Sequence, residues 1–258
     1  MKKLDGGKRR SPAKDIAAVA VMTALLIGGQ FVLSPVAGVE VVTVLLAAFS
    51  FSYGVRAGVL AATAFALLRC FIFGFYPSVI VLYLIYYPLF ALIFGLLGRV
   101  KEQTYLRFPL WAALLVNVAI VAVGVGCAVC AATNIIKISR LAAAMVKTLL
   151  WVIFALCCAL IAVFDCVFVL QRRGNLKSGN MLMVAVAAAV AAACTICFTL
   201  LDDVITPIFM GWGVFSAASA TYFYASFLAM APQTVCAIVT VSTLFLPLVT
   251  IFKRASRI

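Results

Sequence analysis

Histidine is absent from this chain, and aspartate and glutamate together number only seven. The first absence removes Ser-His-Asp and Cys-His nucleophilic catalysis and the H-E-x-x-H zinc site. There is no G-x-x-x-x-G-K-[ST] loop, so the chain has no P-loop for ATP. Charge of either sign is scarce, at 10% of residues, against about 25% in an ordinary soluble chain. No stretch is polar enough to make a soluble domain. That also excludes nucleic-acid binding, because the net charge of +13 has no soluble face on which to form a basic patch.

What is present is apolar: 67% of residues. "MLMVAVAAAVAAACTICF" and similar runs are long enough to cross ~30 Å of hydrocarbon. They are too long and too uniformly apolar for barrel strands, and lipid offers an open backbone no partner. The expected fold is therefore all-α, a polytopic transmembrane helical bundle of about eight spans. The expected spans are 16–33, 41–53, 57–75, 78–98, 109–132, 141–170, 181–201 and 214–252. The run from Ile16 to Leu33 follows a basic start. It is longer than a ~7–15 residue signal core and has no clear A-x-A site, so it reads as a retained first span.

Loop charge orients these spans. With the N-terminus cytoplasmic, the inner side collects Lys2, Lys3, Lys8, Arg9, Arg10, Lys14, Arg56, Arg99, Lys101 and Arg107. It also collects Arg172, Arg173, Lys177, Lys253, Arg254 and Arg257. Lys137, Arg140 and Lys147 fall outside, and Arg69 falls within a span. An even number of spans with both termini cytoplasmic satisfies the positive-inside rule.

In that topology the outer third gathers the polar residues. Arg69 sits about 20 Å above Arg56 at 1.5 Å per residue. Asp202 and Asp203 emerge at the outer end of the seventh span, and Glu40 precedes the short second one. Tyr83, Tyr87, Trp212, Tyr222 and Tyr224 supply aromatic surface at the same depth. Tyrosine and tryptophan also form ligand-free belts at interfaces. An arginine within a span costs ~2.5–3.5 kcal/mol on insertion scales and marks a pathway or a pair, here with Glu40 or an aspartate. Asp165, near Arg172 and Arg173, reads as a structural ion pair. Pro88 and Pro232 each remove a helical donor within a span, and Gln233 follows the second. Such interruptions point to a transporter's site. "TPIFMGWGVF", after the acidic pair, reads as a loop or partial re-entry.

Cys127/Cys130 and Cys194/Cys197 have C-x-x-C spacing but lie in apolar runs, where cysteine behaves as a small hydrophobe. No metal or cofactor is expected. Ala20 and Ala24, in "AVMTA", lie four apart on one helix face, a small-xxx-small surface that another helix can approach closely.

Together these features resemble the substrate-binding (S) component of energy-coupling factor transporters. The likeness lies in the small-residue first helix, the proline loop, a short second helix ending "SYGVRAG", and a fourth helix ending "GLLGR". A last helix in "YFYASFLAMAPQTVCAIVTVSTLFLPL" completes it. It covers roughly 15–99 and 181–254. The resemblance implies a multi-pass protein of a bacterial plasma membrane that captures a vitamin-like micronutrient from outside. It would topple in the lipid against a transmembrane coupling subunit driven by two ATPase subunits. It also implies that Ala20 and Ala24 form the contact to that coupling subunit. The site expected from the residues is Arg69, Glu40, Tyr83, Tyr87, Asp202, Asp203, Trp212, Tyr222, Tyr224 and Gln233. The family core has six helices, so 109–170 is an extra pair in a single transmembrane domain. That domain has a basic tail (1–15), four spans (16–99), the pair, and two last spans (181–254). Three alternatives stay open: a self-contained secondary transporter, a structural membrane protein, and an intramembrane enzyme using Asp202/Asp203. Adjacent helical residues point about 100° apart, which is poor geometry for a carboxylate dyad.

Overall fold

A computed structural model describes residues 12–34, 41–100, 110–132, 140–173, 180–212 and 216–256. Among them lie eight helices: α1 (Pro12–Leu33), α2 (Val42–Tyr53), α3 (Val55–Phe73), α4 (Pro77–Leu97), α5 (Leu110–Ala132), α6 (Arg140–Arg172), α7 (Asn180–Phe209) and α8 (Ala217–Ala255). Five helical stretches are long and apolar enough to cross a membrane: Ala13–Leu33, Val55–Phe73, Pro77–Leu97, Asn180–Phe209 and Gln233–Ala255. α2 has only 12 residues, about 18 Å at the helical rise. The 39 residues of α8 reach about 58 Å.

The main core draws on α1 to α4, α7 and α8. α5 and α6 pack on each other, and their buried Ala113, Phe164 and Phe168 form a satellite cluster with Leu182 and Val186 of α7. Asn117 of α5 donates from Nδ2 to Asp165 Oδ1 of α6 at 2.7 Å. This corrects the expected ion pair of Asp165 with Arg172 and Arg173. Arg172 lies instead over the Phe168 ring, 5.3 Å from its centroid. In hydrocarbon a neutral amide bridging two helices removes the demand for a cation.

Lipid is as apolar as leucine, so close backbone approach, not apolar burial, must hold the helices together. Alanines on α7 supply it towards the core, with Ala187 and Ala191 wholly buried. Glycines supply it at one end of the bundle. A Cβ on Gly58 would meet Ser50 Oγ at 2.5 Å, and one on Gly95 would meet the Val55 Cα at 2.7 Å. One on Gly98 would run into the Phe51 carbonyl. The "SYGVRAG" and "GLLGR" segments thus seat the end of α4 against the α2–α3 junction. At the same end Lys253 Nζ lies 5.3 Å from the Phe51 ring centroid, and Phe252 packs edge-on to Phe49. Arg56, Arg99, Lys253 and Arg254 are exposed there.

α7 runs eight residues beyond the expected 181–201, so Asp202 and Asp203 are interior helical positions and not a helix end. Pro207 lies inside this helix. The helix stops in a Schellman motif: Gly211 adopts φ 71°, Gly211 N donates to Ile208 O, and Trp212 N donates to Pro207 O at 2.9 Å. The expected loop or re-entry at "TPIFMGWGVF" is therefore helix through Phe209 followed by this cap, with 213–215 outside the described residues.

Gly95→Ala should lower the melting temperature of the detergent-solubilised protein by several degrees, since overpacking against backbone costs about 1–3 kcal/mol. Gly28→Ala, where a Cβ meets nothing within 4 Å, should leave it unchanged. Circular-dichroism melts of the two variants provide the comparison.

Candidate functional site

At the opposite end from the basic cluster, α1, α3 and α4 meet around Arg69. Its Nε donates to Gln30 Oε1 of α1 at 3.1 Å. Its Cζ lies 4.1 Å from the Tyr83 ring centroid and 5.1 Å from that of Phe73. A guanidinium over a ring gains about 0.5–2 kcal/mol, more where water is excluded. Among the described residues no carboxylate pairs with Arg69. Glu40, one of its expected partners, lies outside them.

Tyr83 continues into an aromatic cluster. Its ring is 4.9 Å from Tyr87 and 5.7 Å from Phe198 of α7, and Tyr86 is 4.8 Å from Phe198. Tyr87 stands edge-on to Phe65 at 5.0 Å. Tyr83, Tyr86 and Tyr87 are all buried. They are therefore not part of an interfacial belt, in contrast to Tyr76, which is 63% exposed.

One helical turn beyond Phe198, Asp202 accepts two hydrogen bonds. Thr206 Oγ1 donates to Oδ1 at 2.7 Å and the Tyr222 hydroxyl to Oδ2 at 2.8 Å, tying α7 to α8. Trp212 packs on Tyr222 with ring centroids 6.3 Å apart. Asp203 faces inward, 8% exposed, and neither of its oxygens has a hydrogen-bond partner. Ser216 caps the start of α8, accepting from Ser219 N at 3.2 Å.

The expected residues thus fall into two joined groups. Arg69, Tyr83 and Tyr87 form one, Asp202, Tyr222 and Trp212 the other, and Phe198 lies between them with Asp203 buried alongside. Tyr224 lies on α8, but its side chain falls outside the described residues. Gln233 belongs elsewhere. It is half-buried 11 positions past Tyr222, about 16 Å further along α8. Gln30, Phe73, Phe198 and Thr206 did not stand out in the sequence. Gln30 had a signal, as the one amide in the apolar run "LLIGGQFVL". Phe198 had none, being one of 20 phenylalanines.

The first-helix stripe is on the surface: Ala17, Ala20, Ala24 and Gly28 are exposed. Cys127 and Cys194/Cys197 are free thiols. No group of three or more His, Cys, Asp or Glu residues among the described residues is placed to hold a metal.

Comparison with family models, curated proteins and solved structures returns no match for this chain.

Tyr222→Phe removes one of the two donors to Asp202 and should destabilise the protein by about 1–3 kcal/mol, because a partly buried carboxylate loses a partner. Thermal melts should show the loss. An unchanged melt would mean that water already serves Asp202.

Proposed function

We propose that this chain is the substrate-binding membrane subunit of an importer of the energy-coupling factor type, which captures a vitamin-like micronutrient and hands it inward with separate coupling and ATPase subunits. The observation that carries the reading is Arg69, held by Gln30 and Tyr83 at the aromatic end of the bundle. Among the described residues this arginine is oriented by a neutral amide and a ring and has no carboxylate partner, an arrangement that leaves its charge for a ligand. The stacked tyrosines beside it provide the apolar, aromatic lining of a small-molecule site with few polar groups.

The charge distribution supports an orientation. Arg56, Arg99, Lys253 and Arg254 gather at the end away from Arg69, and by the positive-inside rule that end faces the cytoplasm. The Arg69 end then faces outward, with both termini inside and eight membrane-embedded helices, of which α2 is too short to cross alone. The exposed Ala20–Ala24 face of α1 serves the coupling subunit as a close-packing surface. Delivery is conformational. The ligand favours the free, outward-facing state, and the partner's differential affinity for another state reverses that preference.

Arg69→Ala should abolish retention of the small molecule that co-purifies with the protein, identified by mass spectrometry, without loss of expression. A variant that retains it like the parent refutes the site. Ala20→Leu should keep the ligand but stop uptake in intact cells. Uptake that persists when the partner ATPases are deleted would favour a self-contained transporter.

A further inference from the structure

The buried face of α7 carries a row of polar side chains: Thr195, Thr199, Asp203 and Thr206, spaced four, four and three residues apart. They are exposed by 4%, 6%, 8% and 7%. Among the described residues, most hydroxyls near Asp203 have other acceptors. Thr195 Oγ1 donates to Ala191 O at 3.0 Å and Thr199 Oγ1 to Thr195 O at 3.4 Å. Thr206 and Tyr222 both donate to Asp202. Ser226 of α8 lies within hydrogen-bond reach of Asp203, and its hydroxyl also has Phe223 O as an acceptor at 2.8 Å. The surroundings therefore present lone pairs to one another, and both oxygens of Asp203 are left without a donor. Arg69, at this end, is engaged by Gln30 and Tyr83.

A carboxylate nine-tenths buried at membrane depth with no donor is among the least favourable arrangements a chain can hold. What would satisfy it is positive charge. A divalent metal is a poor fit, since the surrounding hydroxyls are neutral and the chain has no histidine. We infer that the acceptor row around Asp203 binds a single positive charge, either the protonated nitrogen of the captured solute or an alkali ion that accompanies it. This rests on the reading that this end of the bundle takes in a small solute. It adds a demand on that solute's chemistry: Arg69 addresses an acceptor or anion, and Asp203 a cation.

Thermal unfolding of the full-length protein in detergent, followed by tryptophan fluorescence, tests it. Tetraethylammonium chloride, bulky and without an N–H, sets a constant ionic strength. It is replaced stepwise by sodium chloride or by benzylammonium chloride, with benzyl alcohol as the neutral control. One of the two cations should raise the melting temperature by at least about 2 °C. Benzyl alcohol should not, and Asp203→Asn should lose the shift. A sodium response identifies an alkali-ion site, and a benzylammonium response a site for the solute's ammonium. If neither cation shifts the parent, or if the shift survives in Asp203→Asn, the inference is overturned. The parent arm needs no variant to fold. The importer reading fails on a different result, the absence of any co-purifying organic molecule, which leaves the cation titration readable.

Discussion

Hydrocarbon supplies no hydrogen bonds, so each polar group at depth must be met by another part of the chain or by something bound to it. That constraint organises this molecule. Gln30 exists in an apolar helix to meet Arg69. Asn117 meets Asp165 and joins α5 to α6. Tyr222 and Thr206 meet Asp202 and join α7 to α8. Threonines along α7 and α8 turn back on their own helices, as Thr195, Thr234 and Thr240 do. Among the described residues Ser50 Oγ, Ser52 Oγ, Asn117 Oδ1 and both oxygens of Asp203 go unmet, and of these only the Asp203 carboxyl is an ionisable group.

The two ends of the bundle are built differently. At the basic end helices approach closely through Gly58, Gly95 and Gly98, the last two against the backbone of Val55 and Phe51, which cannot give way as a side chain can. At the Arg69 end they meet through long side chains: a guanidinium on a ring, an amide, a phenol and an indole. Interfaces of the first kind are fixed in register. Those of the second kind re-form with small rotamer changes. The described residues thus make a tightly fixed base and a head joined through longer side chains.

Much of this was legible from residue order. Apolar run length and loop charge located the helices to within a few residues, because hydropathy is an unusually direct readout when the solvent is lipid. Arg69 stood out because an arginine in mid-span is costly and marks either a pathway or a pair. The end of α7 was misread. By sequence the two adjacent aspartates stand at the outer end of the span, and the stretch after them reads as a loop or partial re-entry. Yet Asp202 is paired across helices, Pro207 is accommodated within the helix, and the true stop signal was Gly211. The misplacement of Gln233 has a similar origin. Neighbouring a proline made it look like part of a site, but depth along α8 depends on where that helix begins, which its apolar pattern does not mark. Asp165 found its partner 48 positions away on α5, a pairing that local charge could not reveal.

The shortness of α2 has an electrical consequence. Its first turn lies beside Gly29, whose Cβ position is 3.9 Å from Val41 and Leu45 side-chain atoms, so α2 begins at the level of Gln30 and Arg69. About 18 Å of helix then separates that level from the basic end, against ~30 Å of hydrocarbon overall. A layer of that thickness with one face at the basic end would leave Arg69 roughly 12 Å beneath the other face. With the voltage falling across the layer, a charge arriving there from the near side traverses well under half of the drop, and the larger part remains to act on it during the onward step. With the basic end on the negative side of such a layer, a cation at this height would keep more than half of the voltage for its onward step.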